Sequence, residues 1–152
     1  MPVFDFKFQV DAPIKTISNF HFEPGILKTL TPPFMIMQVH RFEPLADDSV
    51  GDFTIWMGPI PVHWVAIHSN VSEAGFTDTQ AKGPLKSWVH THRFTSISDT
   101  TTEVHEHIKF EHFGGFKGLW SRLLFPKPAL HLLFQIRKSI TRKEVAKRMA
   151  TT

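Results

Sequence analysis

A chain of 152 residues without cysteine has the length of one domain with its own core, roughly 100 to 150 residues being typical, and it excludes disulfides, thiolate nucleophiles and Cys-ligated zinc. The formal charge is +3, from 17 Lys and Arg against 14 Asp and Glu, and the excess lies in the tail RKSITRKEVAKR; the rest is slightly acidic, so no nucleic-acid partner is expected. Fifteen Phe and four Trp with no Tyr predict instead a large interior walled by unfunctionalised rings.

The opening MPVFDFKFQVDAP carries acids and alternates in polarity, unlike the basic and then continuously apolar start of a signal peptide, so a cytoplasmic location is expected. The most apolar stretch, Ala129 to Ile136, is short and holds His131 and Gln135, far from the roughly 20 apolar residues of a membrane-spanning helix. Period-two alternation through Val3, Phe4 or Phe6, Phe8 and Val10 predicts a first strand over 3–10. Asp11-Ala-Pro reads as a helix start with Asp11 as cap. Two short helices are expected near 12–19 and 24–30, separated by HFEPG and stopped by Thr31-Pro32-Pro33.

From Phe34 the pattern is strand after strand, with turn signals at 44–51, 58–61, 69–75, 82–84 and 98–100. The six strands fall near 34–43, 51–57, 61–69, 75–82, 86–97 and 101–113. No helical segment intervenes, which argues for an antiparallel meander. After Gly114-Gly115 the period becomes helical: Phe116, Leu119, Trp120, Leu123 and Leu124 form a stripe that Pro126 and Pro128 interrupt, and Leu130, Leu133, Phe134, Arg137 and Ile140 continue it. The expected architecture is α+β: a seven-stranded curved antiparallel sheet, two short helices, and one long kinked C-terminal helix over the concave face, a helix-grip fold. Residues 1–152 read as a single domain with a basic helical tail over about 137–152. Where helix and sheet diverge a cavity forms, the usual place for a small ligand.

Four stretches carry a family resemblance: GPIPVHW (58–64), FTDTQAKGPLKSWVHTHRF (76–94), TEVHEHIKFEHF (102–113) and LLFQIRKSITRKEV (132–145). They resemble the bacterial SRPBCC proteins of the START-like and polyketide-cyclase-like superfamily, which also includes the birch-pollen allergens. The GPxPxxW and WxHxHxF patterns point to one branch, some members of which carry names suggesting cell-division inhibition. The resemblance implies the fold and a ligand-binding class rather than a reaction. That branch often has an aspartate where this chain has Glu106, one methylene longer, followed here by Phe110.

Alternation sorts the last hairpin into faces. Trp88, His90, His92 and Phe94 share the inward face, as do Val104, Glu106, Ile108 and Phe110 on the next strand, while His105 and His107 point outward. A turn near Ser98 sets Glu106 opposite His90 or His92, and the turn at Gly83-Pro84 pairs Trp88 with Gln80, His90 with Asp78 and His92 with Phe76. A polar row of Asp78, His90 and Glu106 therefore crosses an aromatic wall. Three readings stand: the row satisfies itself as a buried polar network, it orients the polar end of a ligand, or His90 and Glu106 act as acid and base in a cyclase- or dehydratase-like step. No residue is assigned firmly as catalytic. The ligand-contacting candidates are Asp78, Gln80, Trp88, His90, His92, Phe94, Glu106, Ile108, Phe110, Trp120, Leu133 and Arg137, the last meeting a ligand carboxylate or a sheet acid.

His90-x-His92 with Asp78 or Glu106 has metal-ligand spacing, but the cupin pattern needs a glutamate about four residues after the second His, where Ser96 stands, so no metal is assigned. No cofactor motif is present. His40, His63, His68, His112 and His131 are expected at the surface or rim. The partner the sequence implies is a hydrophobic small molecule such as a lipid, isoprenoid or polyketide-like compound; the oligomeric state is not legible in it.

Overall fold

The computed structural model describes residues 2–151. Among them the elements run β1 (Val3–Val10), α1 (Ile14–His21), α2 (Ile26–Thr29), β2 (Ile36–Phe42), β3 (Val50–Met57), β4 (Ile60–Ser72), β5 (Gly75–Lys82), β6 (Ser87–Ser98), β7 (Thr101–Glu111), α3 (Gly115–Leu124) and α4 (Lys127–Ala150). The strands form one antiparallel sheet in the order β1-β7-β6-β5-β4-β3-β2. From β2 to β7 each strand pairs with the next, because the links are too short for anything but hairpins. β1 joins the far edge against β7, so the chain must cross the width of the sheet before β2, and α1 and α2 make that crossing. Register shifts at Val39/Arg41, Val65/Ala66, Ser69/Ser72 and Ser96/Ser98 place extra residues in one strand of a pair and bend the sheet.

Along β1 burial alternates strictly, turning Phe4, Phe6, Phe8 and Val10 inward and leaving Val3 outside. α4 covers this part of the concave face with Leu130, Phe134, Thr141 and Val145, all buried and spaced to share one side of the helix. The Phe134 ring lies 5.5 Å from Phe4 and 6.1 Å from Phe6. At its far end, Arg148 Nε donates to both carboxylate oxygens of Glu23 at 2.8 and 3.0 Å. Part of the basic tail is therefore a tie to the segment after α1. Asp11 makes no cap: Pro13 occupies that position and α1 begins at Ile14.

The expected single kinked helix is two helices. Phe125 leaves the helical region (φ −126°, ψ 49°), because a residue before proline is pushed out of the α conformation, and Pro128 then falls in the first turn of α4, where its missing N–H breaks no intrahelical bond. Released from α4, α3 rests on Gly118 and Ser121. A Cβ at Gly118 would overlap the Phe113 carbonyl, so this contact requires glycine. Phe116, Leu119, Trp120 and Leu123, expected to face the sheet, point outward instead.

Gly75 starts β5 with φ +131°, and a Cβ there would collide with the His92 carbonyl of β6. Gly75→Ala is accordingly expected to lower stability by about 1–3 kcal/mol, the usual range for such strain, as read from urea denaturation. An unchanged midpoint would show that the β5–β6 hairpin can shift without loss.

Candidate functional site

The hairpin registers deliver the polar row. β5 and β6 pair Asp78 with His90 and Phe76 with His92, while β6 and β7 pair His92 with Glu106 and Trp88 with Phe110. These are pairings the turn positions predict. The side-chain hydrogen bonds then run diagonally: His90 Nε2 donates to Glu106 Oε2 at 2.7 Å and His92 Nε2 to Asp78 Oδ2 at 2.9 Å. The two imidazoles lie against each other, tilted by 35° with centroids 3.8 Å apart. His92 Nδ1 is also 2.9 Å from Glu106 Oε2, but out of line, and it makes no hydrogen bond among the described residues.

Two carboxylates and two imidazoles buried together settle their charges jointly. Burial disfavours the His92 cation, but the close Glu106 charge and the hydrogen bond to Asp78 outweigh it and raise its pKa to about 9. Burial, and then the neighbouring His92 charge, hold His90 below its ordinary value. Glu106 and Asp78 are held low despite burial, Glu106 chiefly by the His92 charge and Asp78 by those of His90 and His92. At neutral pH these shifts favour two carboxylates with an imidazolium at His92.

Above this row lies a cavity of about 150 Å³ between sheet, α2 and α4. Its walls are mostly apolar, with Ile26, Leu27 and Leu30 from α2, Phe53, Trp64, Phe76 and Trp88 from the sheet, and Leu130, Leu133 and Phe134 from α4. Asp78, His90, His92 and Arg137 are its polar lining together with His21 and His68. Arg137 makes no ion pair among the described residues, and its buried Nε has no hydrogen-bond partner. Its guanidinium carbon sits 5.4 Å from the Phe134 ring centre. The sheet-acid partner that sequence reasoning allowed for Arg137 is thus absent among the described residues, and its buried Nε is left without an acceptor at the cavity lining.

Of the other ligand-contacting candidates, Trp88 and Leu133 line the cavity, whereas Phe94, Glu106, Ile108 and Phe110 are buried beneath it. Gln80 turns away to hold the β5–β6 turn, its Nε2 donating to the Leu85 carbonyl at 2.8 Å. Trp120 is 62% exposed on α3 and borders a separate surface groove with Ile60 and Pro61. His68, expected at the rim, is instead a buried cavity wall held by Ser49 Oγ at 3.0 Å. Its parity with Val62, Trp64 and Ala66 on β4 was a usable signal. His21 was missed altogether: its Nδ1 donates to the Ile17 carbonyl at 2.8 Å, and burial lowers its pKa to about 4. Outside the cavity, His105 Nε2 and His107 Nδ1 both donate to Asp5 Oδ1, at 2.7 and 2.6 Å, so they are paired rather than merely solvated.

Asp78, His90 and His92 each present a ligating atom within 4.8 Å of the others, as do Asp5, His105 and His107. Two His and one carboxylate can hold a divalent ion, but only with neutral imidazoles. In the inner row the flanking carboxylates favour the His92 cation and oppose that exchange.

A curved seven-stranded antiparallel sheet gripping a C-terminal helix across a cavity is the helix-grip fold, of the SRPBCC or START-like type. No family model and no curated protein matches the sequence. Among solved structures, the chain is similar to the Zhui aromatase/cyclase from Streptomyces (TM-score 0.71, 14% identity, 97% of this chain and 95% of that one). It is similar to Ara h 8.0201 as well (TM-score 0.68, 14% identity, 96% and 98%). A nucleoside-diphosphate sugar epimerase from Corynebacterium glutamicum matches at TM-score 0.70 and 22% identity, over 97% of this chain but 30% of that longer one. At these identities the likeness is one of fold.

Proposed function

We propose that the chain binds a small hydrophobic molecule in the cavity, its polar end turned toward Asp78, His90, His92 and Arg137. The observation that carries this reading is Arg137 Nε, buried and without a hydrogen-bond partner among the described residues, at the lining of a mostly apolar cavity. A buried donor without a hydrogen-bond acceptor is costly, and a ligand oxygen, best a carboxylate, would supply the acceptor. A volume of about 150 Å³ holds a group of about one ring. A lipid, isoprenoid or polyketide-like ligand would fit by threading one end inward.

A second reading, a cyclase- or dehydratase-like enzyme, is favoured by the 2.7 Å His90–Glu106 hydrogen bond at the cavity floor and by the name of the Streptomyces neighbour. In it, His90 would exchange a proton with the substrate while Glu106 holds the ring. Loss of affinity alone on His90→Phe would favour the binder, and loss of turnover at unchanged affinity the enzyme.

Native mass spectrometry of protein purified from its source is expected to show a retained small molecule. Titration with toluene and benzoate, followed by the fluorescence of Trp64 and Trp88, tests the polar end. Arg137→Met should weaken benzoate by about 10- to 100-fold, the worth of a charge-assisted hydrogen bond, while toluene changes by less than about twofold. Protein that is always recovered empty and binds neither compound would end the proposal.

A further inference from the structure

We infer that α3 docks on an anionic lipid bilayer, laying Phe116, Leu119, Trp120 and Leu123 into the headgroup region. The inference stands apart from the cavity reading. Large apolar side chains on a ten-residue helix normally cover a core, yet these four are 92%, 59%, 62% and 67% exposed. Phe116, Trp120 and Leu123 follow at intervals of four and three, with Leu119 beside them, so they form one contiguous stripe. Gly118 and Ser121 take the inner side, which leaves the stripe no room to rotate toward the protein.

Charge identifies the partner. From His112 through Lys143 there is no Asp or Glu, while Lys and Arg occur seven times. Lys117 and Arg122 lie within α3 and Lys127 just beyond it, all exposed and none paired with a carboxylate among the described residues. Lys117 Nζ lies over the Phe113 ring and Arg122 Nη1 donates to the Phe113 carbonyl, so both cations stay beside the stripe. An apolar face containing Trp and flanked by Lys and Arg is the pattern of a helix lying in a membrane interface. Against a second copy of this chain the same cations would repel, whereas anionic headgroups attract each of them. Phe125, the residue after α3, lines the cavity, so docking would bring the cavity close to the lipid phase.

Co-sedimentation of the full chain with phosphatidylcholine vesicles, with and without phosphatidylglycerol, tests this. Binding is expected only with phosphatidylglycerol present, with a blue shift in Trp120 emission and release at high salt. Phe116→Ser with Leu123→Ser should lower the partition coefficient about tenfold or more, and Lys117→Glu with Arg122→Glu should do the same. Because Phe116 and Leu123 lie outside the core, an unchanged melting temperature accompanies that pair. Absence of binding, equal binding to neutral vesicles, or binding that survives either pair of substitutions would overturn the inference. So would self-association in the absence of lipid that Phe116→Ser with Leu123→Ser abolishes, since it would make the stripe a dimer surface.

Discussion

Glu106→Ala is expected to lower stability at neutral pH by about 3–5 kcal/mol, the cost of removing one member of a buried ion pair and stranding the other. Glu106 is 6% exposed and serves both imidazoles, accepting from His90 and facing His92 at 2.9 Å. Without it the His92 cation keeps only Asp78. Urea denaturation at pH 7 gives the loss, and one below about 1 kcal/mol, within the range of an ordinary neutral hydrogen bond, would show that the row is not charged.

The same site sets the pH profile. His92 has a folded-state pKa above its ordinary 6.5, so its stabilisation is complete below 6.5 and is lost as pH rises through about 9. His21 is shifted the other way, from 6.5 to about 4 by burial. The unfolded chain therefore takes up that proton first, and stability falls as pH drops from 6.5 toward 4. His90 and His68, both lowered chiefly by burial, act in the same sense. Asp78 and Glu106 stabilise above their ordinary 3.8 and 4.5, and that contribution is lost as pH falls through their lower folded values. Stability should therefore peak at about pH 6 to 7 and decline on both sides. In Glu106→Gln the alkaline decline should shrink, since the charge that holds the proton on His92 is gone; an alkaline limb as steep as in the parent would assign it to another group.

Phe134→Ala is expected to cost about 3–5 kcal/mol, as ring deletions in packed cores do. Phe134 is 2% exposed, with Phe4 and Phe6 on one side and the His90 ring edge-on at 5.6 Å. It joins α4 to the sheet and also lines the cavity, so its removal both loosens the grip and enlarges the space. Added toluene should recover part of the loss, because a ligand that binds the folded state stabilises it by mass action. A cost below about 1 kcal/mol would mean that α4 is held elsewhere.

Most of the polar row was legible because parity in a strand is local and short turns fix hairpin register. Trp88 to Phe94 and Val104 to Phe110 needed only alternation, and the turns near Ser98 and Gly83 needed only their positions. His68 carried the same signal on β4. His21 did not, because the expected helix ended at 19 and left it in a loop; α1 reaches His21 and sets it on the face of Ile17 and Phe20. Gln80 has the right parity, but the nearby turn offers it backbone partners at Leu85 and draws it away.

Alternation and turn chemistry by themselves determined the β2–β7 meander and the sheet face carrying the histidines and carboxylates, since each depends on neighbours within a few residues. Only the tertiary structure decided which imidazole meets which acid, that Arg137 has no ion-pair partner among the described residues, and that the α3 stripe looks outward. Those outcomes depend on the placement of whole helices against the sheet, where a rotation about one helix axis exchanges a buried face for an exposed one without changing the sequence pattern.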